Sequence, residues 1–403
     1  MHGHAPALST FYRDLCIADG RSAELRRGVS IMVEGGRVAW IRPVDGGEDP
    51  GGADVVDASG CTAIPGMVDA HSHVTLPGGA HWIERGADPP ERLCADAERN
   101  GELLDAAGVR WARDVGAPVG VDPVDGRTRA LSLGVRDRWA GRRDRPHIRA
   151  AGSWLSRSGT MDAIPHAAAA DATQLLAIAM GQLDDGADLI KLYLDGPDLE
   201  VAPWSVAEIA TVVGACHERG ARVTAHATRL QNARAGVEGG VDCIEHGSQI
   251  DADLAAEMAR RGTWVVSTLA VYRSWHTFAQ TTSIDRFTGP EGRARLATRE
   301  EESRESLRLA HAAGVNIAAG TDFGGGSTRA NQIAWEVEAM VEAGLPPHDA
   351  LAAVTWRGGE LLGEPDAGVI REGGPADIVL VHGDPLSDPS ALWRVWRRLW
   401  RDG

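Results

Sequence analysis

The sequence predicts an α/β protein: a closed (β/α)8 barrel, with a small β-domain assembled from both ends of the chain. Three observations predict it. Strand-length apolar runs alternate with helix-length segments from residue 67 to residue 322, the order of a parallel sheet joined by crossover helices. Polar residues able to hold a metal fall at or near the ends of several of those runs, the rim where this barrel carries its active sites. Short strand candidates with glycine-rich turns flank the alternating region on both sides.

The elements follow in chain order. Runs at 29–33 and 38–41 are strand candidates joined by Glu34-Gly35-Gly36-Arg37, whose paired glycines supply the positive φ angles of a tight hairpin. The apolar stretch 63–68 leads into the first barrel strand as one short buried run. The barrel strands are expected at 67–73, 109–114, 147–154, 189–194, 222–226, 243–246, 264–269 and 316–322. Helical periodicity is clearest at 173–185, 206–219, 295–313 and 332–343. Gly373-Gly374-Pro375 then turns into a last β-like run at 376–382. The expected division is a barrel over 65–358, with 1–64 and 359–403 supplying the two parts of the β-domain.

Composition narrows the function classes. The 403 residues allow two or three domains, of which a barrel absorbs about 250 residues. A net charge of -16 argues against a nucleic-acid or anionic-membrane surface. No apolar run approaches the ~20 residues of a bilayer span, and the first residues carry no signal-peptide core. Cys16, Cys61, Cys94, Cys216 and Cys243 are scattered, odd in number and without a Cys-x-x-Cys pair, as in a reduced thiol set. A cytoplasmic enzyme is expected.

His71 and His73 stand two apart on a strand candidate, so both imidazoles share one face and can reach one metal ion. Lys191, His226, His246 and Asp322 sit at or near the ends of strand candidates four, five, six and eight. Each alone has an ordinary explanation: a hydrogen-bonded core histidine, a barrel-interior lysine paired with an acid, an aspartate capping the next helix. Their convergence on one rim points instead to a metal site.

The motifs Pro65-Gly66-Met67-Val68-Asp69-Ala70-His71-Ser72-His73, Gly186-Ala187-Asp188-Leu189-Ile190-Lys191 and Val223-Thr224-Ala225-His226-Ala227 resemble the amidohydrolase superfamily, in its imidazolonepropionase- and prolidase-like branch. So do Gly240-Val241-Asp242-Cys243-Ile244-Glu245-His246-Gly247, Trp264-Val265-Val266-Ser267-Thr268-Leu269, Ala319-Gly320-Thr321-Asp322 and Pro375-Ala376-Asp377-Ile378-Val379-Leu380. The resemblance implies a TIM-type barrel with a β-sandwich made from both termini and two divalent metal ions in the barrel mouth. His71, His73 and Asp322 would hold one ion, and His226 and His246 the other. Lys191, carboxylated by CO2, would bridge them, because a carbamate offers two anionic oxygens where an ammonium offers none. Nitrogen and oxygen ligands suit zinc best, with manganese, cobalt or iron as alternatives. The chain departs from the pattern at Thr228, where many relatives carry a second histidine, at Ser158-Gly159-Thr160-Met161, and in its Trp- and Arg-rich end.

The implied reaction is C–N hydrolysis of an amide, peptide-like or cyclic amide bond by a metal-bridging hydroxide, with Asp322 as proton shuttle and His246 among the catalytic groups. One alternative is a mononuclear deaminase. That chemistry commonly uses a Glu three residues after the strand-five histidine, where this chain has Arg229. Another is a non-catalytic barrel acting as a binding module, which should have lost metal ligands. Substrate contacts are expected from Trp82, Trp154 and Trp275 as aromatic walls and from Tyr193 and Tyr272. Arg157, Arg229 and Arg273 are the candidate carboxylate clamps. Gly324-Gly325-Gly326 offers a loop able to close over the ligand. The partner is a small-molecule amide, with neither nucleic acid nor membrane. Trp393, Trp396 and Trp400 at i, i+3 and i+7 form one helical stripe, expected to pack on this chain or on a second copy in a homo-oligomer.

Overall fold

In the computed structural model, which describes residues 9–44, 49–161 and 163–402, both chain ends enter one sheet. Its strands are β1 (Ser9–Ile17), β2 (Arg26–Glu34), β3 (Arg37–Pro43), β4 (Asp54–Asp57) and β5 (Cys61–Pro65), joined by two from the far end of the chain. The hairpin between β2 and β3 turns on Gly35 and Gly36 at φ 54° and 76°, as the sequence requires. Tyr12, Leu15, Ile31, Val38, Ile378 and Leu380 fill a core of its own beside this sheet. The strand pairing is that of one continuous seven-stranded sheet.

The run expected as a single strand at 63–68 divides at Gly66. Residues before it belong to β5 in the terminal sheet, and β6 (Met67–Ser72) begins the barrel. A Cβ on Gly66 would lie 2.7 Å from the Cβ of Arg110, so the chain crosses between the two sheets where no side chain fits. Every residue of β6 is buried, which explains its unbroken apolar reading.

The barrel continues through β7 (Val109–Asp114), a small outer hairpin of β8 (Val119–Val121) and β9 (Thr128–Ala130), then β10 (His147–Ala150) and β11 (Trp154–Arg157). β12 (Ala167–Ala169) pairs beside β11, and the remaining staves are β13 (Leu189–Tyr193), β14 (Arg222–Ala227), β15 (Cys243–His246), β16 (Trp264–Ser267) and β17 (Ile317–Ala319). All staves pair in parallel, giving a TIM-like barrel. The third stave, expected as one strand over 147–154, is two: β10 pairs with β7 and β11 with β13. Gly152, at φ 78°, lies in the break, which Ala151 N–H spans to Asp114 O at 2.8 Å and Asp188 N–H to Ala150 O at 2.8 Å.

Closure between the last and first staves sets the site. Asp322 N–H donates to His71 O at 2.8 Å and His73 N–H to Phe323 O at 3.0 Å. Gly320 stands there because a Cβ would meet His71 N at 2.2 Å. Helices Ala172–Asp184, Val206–Glu218, Pro290–Ala312 and Ile333–Glu342 lie near the expected positions, the third starting five residues earlier, with Pro290 in its first turn.

The C-terminal helical stripe is corrected. A 3-10 turn at Pro389–Trp393 leads into β19 (Val395–Arg398), which pairs antiparallel with β18 (Ile378–His382), and only Leu399–Asp402 is helical. The open edge of β18 captures the segment as a strand, a state that suits Val and Trp. The three tryptophans therefore diverge. Trp400 is buried and donates to Asp105 at 2.9 Å, whereas Trp393 and Trp396 remain 41% and 39% exposed. Among the described residues no helix is long and apolar enough to cross a membrane.

Candidate metal centre

His71 lies on β6 and His73 just beyond it, so alternation turns both rings, with Asp69, to the barrel interior. Asp69 is fully buried and accepts from Thr321 N–H at 3.0 Å and Thr321 Oγ1 at 2.7 Å. Burial pushes its pKa up to about 7 against those hydrogen bonds. This tie holds the segment that carries Asp322 against β6. Asp322 Oδ1 then sits 3.4 Å from His71 Nε2 and 3.2 Å from His73 Nε2.

The other nitrogen of each imidazole is engaged by protein. His71 Nδ1 lies 2.7 Å from Glu245 Oε2, and His73 Nδ1 2.7 Å from Gly116 O. His246 Nδ1 meets Thr268 Oγ1 at 2.8 Å, and His226 Nε2 meets Asp195 Oδ2 at 3.1 Å. Each ring is thus held by an outer partner that fixes its orientation and leaves its second nitrogen for the interior, the arrangement of metal-binding histidines. The rings cluster: His71 and His246 have centroids 4.7 Å apart, His226 and His246 4.6 Å, His71 and His73 5.3 Å. Ligand atoms of His71, His246 and Asp322 all lie within 4.8 Å of one another.

Electrostatics favour the ligating forms. Burial, with Lys191 nearby, lowers the pKa of His71; burial, with His226 and His71 nearby, lowers that of His246 further, so both rings are neutral. Burial alone would raise Asp322, but His71, His73 and His246 hold it well below the usual carboxylate range. Lys191 is 1% exposed on the cavity floor, and its Nζ has no hydrogen-bond partner. Burial brings its pKa down to about 8. A buried amine without a partner and four oriented imidazoles beside a carboxylate fit a metal centre better than a satisfied core.

Two of these positions are strained. His246 and Asp322 adopt φ 67° and 50°, a left-handed conformation that non-glycine residues rarely hold and that recurs at functional sites. The Gly324-Gly325-Gly326 loop owes its composition to space. A Cβ on Gly325 would lie 2.2 Å from His73 Cδ2, and one on Gly326 2.4 Å from Asp322 Oδ2. In this conformation it packs as a wall of the site.

These groups floor a cavity of about 440 Å³. Trp82, Trp154, Tyr193, Arg229, Tyr272 and Trp275 line it. Tyr193 stacks on His226 with centroids 4.1 Å apart, and Trp154 approaches His73 at 5.1 Å because Gly116 leaves room for it. Arg157 and Arg273 do not reach the cavity, which corrects their expected role. Arg157 is exposed, donates to Pro203 O at 2.7 Å and covers Trp204; Arg273 pairs with Glu338 at 3.2 Å and Glu342 at 2.5 Å. Thr228 serves Asp195, donating to it through both N–H and Oγ1.

Sequence reasoning missed Glu245, Arg113, Asp195 and Thr268. Glu245 is fully buried, taking Arg113 Nη2 at 2.5 Å on one oxygen and His71 on the other. Burial would raise its pKa, yet Arg113, Lys191 and His71 pull it well below the ordinary value. The available signal was a charged residue inside the apolar run that ends at His246. Asp195 is held low by His226, Thr228 and Asn232 against burial.

Comparison with known proteins gives the family. Residues 148–401 match the model described as the amidohydrolase family. An uncharacterized protein of Mycobacterium tuberculosis is 30% identical over 373 residues, covering 91% of each chain. Imidazolonepropionase of Anaeromyxobacter dehalogenans is 26% identical over 409 residues, covering 91% of this chain and 86% of its own. Among solved structures, a Xaa-Pro dipeptidase with bound methionine superposes with TM-score 0.81 at 25% identity, over 96% of this chain and 97% of that one. With the matched span reaching from the third stave to the last strand, the chain belongs to the amidohydrolase family and is a hydrolase acting on carbon–nitrogen bonds.

Proposed function

We propose that the chain hydrolyses a small amide, peptide-like or cyclic amide with two divalent ions, zinc by the donor set, held at the barrel mouth. The carrying observation is the set of four imidazoles, each pinned by an outer partner, around Asp322 and the unpartnered amine of Lys191. His71, His73 and Asp322 would hold one ion and His226 and His246 the other, with Lys191 as its carbamate serving both. Ions there would supply an electrophile for the carbonyl and a water ionised at neutral pH.

The residues account for the rest. With a pKa near 8, Lys191 is partly neutral at physiological pH, and its free amine can add CO2, forming an N–C bond and releasing a proton. Asp322 takes the proton of the attacking water and delivers it to the nitrogen as the C–N bond breaks. His246, at the mouth, completes the polar floor, while Trp82, Trp154, Tyr193, Tyr272, Trp275 and Arg229 face the substrate. The same reading makes the chain a cytoplasmic homo-oligomer acting on a small molecule, without nucleic acid or membrane.

A zinc-supplemented screen of Xaa-Pro dipeptides, N-acyl amino acids, lactams and carbamates tests the reading. At least one amide class should be cleaved, with activity lost to chelation and recovered on adding metal. Hydrolysis that survives complete chelation would overturn it.

A further inference from the structure

The catalytic cavity adjoins a second chamber of about 300 Å³, and the two share Trp82, Trp275 and Arg299 in their linings. Trp82, Trp275 and Phe287 make aromatic walls, while Arg286, Arg295 and Arg299 supply the charge; no Asp or Glu among the described residues lines it. In a chain of net charge -16, with most buried or half-buried arginines paired to acids, this is unusual. Arg286 is half-buried; one Nη donates to Ala80 O and the guanidinium lies 4.6 Å over Phe287, but its Nε is buried without a hydrogen-bond partner. Arg299, also half-buried, makes no ion pair or hydrogen bond among the described residues. Burial lowers the pKa of Arg286, and the exposed Glu84 opposes this through space without forming an ion pair with it, while Glu302 lines the larger cavity, where it accepts from Gln249 at 3.2 Å.

We infer that this chamber is a carboxylate subsite. It receives the end of the substrate remote from the scissile bond, with Arg299 and Arg286 meeting the anion and Trp82 and Trp275 covering an aromatic or branched apolar body. Guanidinium groups match a carboxylate through parallel N–H donors, and aromatic walls exclude the water that would screen the pair. The substrate class is therefore an amide in which one side of the cleaved bond carries a carboxylate on an apolar frame. This rests on the hydrolytic reading of the larger cavity.

The test measures binding apart from turnover. Phenylacetate, phenylacetamide and phenethylamine, one frame with three charge states, are titrated into the metal-stripped full chain, following tryptophan fluorescence. The acid should bind at least about tenfold more tightly than the amide, and the amine more weakly than either. That acid-over-amide ratio should fall towards one in Arg299→Met and in Arg286→Met, recover in part in Arg299→Lys, and persist in Arg229→Met, with folding checked by circular dichroism. Equal affinity for acid and amide, or a ratio that depends on Arg229 and not on Arg299, would overturn the subsite. Acid preference without hydrolysis of any amide would leave the subsite and remove the hydrolytic reading. Hydrolysis of neutral amides without acid preference would do the reverse.

Discussion

Asp322→Asn should lower kcat by about 10²–10⁴-fold, the range for loss of a general acid–base group, while leaving the fold intact. Asparagine keeps the shape of the side chain and tolerates the φ of 50° that this position adopts, so β6 and the last stave stay joined through Asp322 N–H and His71 O. What disappears is a carboxylate held ionised by His71, His73 and His246 and able to carry a proton from water to the leaving nitrogen. The check is steady-state turnover on a cleaved amide at matched metal content. Near-normal kcat in the metal-loaded variant would reject Asp322 as the shuttle.

Arg113→Met should destabilise the metal-free protein by about 3–5 kcal/mol, the cost of breaking a buried ion pair from one side. Arg113 is 3% exposed, and besides Glu245 it donates to Ala70 O at 2.6 Å. Its loss leaves the Glu245 carboxylate in the barrel with Thr224, His71 and the weak thiol donor of Cys243, and with Lys191 as the remaining nearby cation. Adding Glu245→Gln should recover part of the loss, because the stranded charge is then gone. Urea unfolding of the two variants and the parent chain decides it. A loss below about 1 kcal/mol for Arg113→Met, the scale of an exposed pair, would show that the pair carries little.

The barrel was legible because parallel staves buried on both faces read as short apolar runs, and the candidate metal-site residues because they end those runs. Alternation placed His71 and His73 together without any knowledge of the fold. Its limits are equally physical. The break between β10 and β11 is a matter of pairing partners, bonded to Asp114 and Asp188 at the two flanking staves, and no local pattern encodes it. The end segment carries a helical period of tryptophans, yet the unpaired edge of β18 decides its conformation. Arg157 and Arg273 looked like clamps by type and position, but a residue's neighbours across the fold, here Pro203 and the acids at 338 and 342, determine where an arginine points. Glu245 and Asp195 were hidden because each acts through a histidine that only the fold brings to it, Glu245 on His71 and Asp195, on the cavity wall, on His226. Arg299 sits on a long helix of mixed charge, where nothing local separates it from its solvated neighbours.

The proposed two-ion centre assembled with Lys191 has a measurable stoichiometry. Protein purified without chelator and assayed by elemental analysis should hold two divalent ions per chain. Lys191→Ala should hold markedly fewer, with bicarbonate and a short carboxylic acid restoring part of the activity. Parent protein that binds no divalent metal even after zinc supplementation, with Lys191 unmodified by mass, would rule the two-ion centre out.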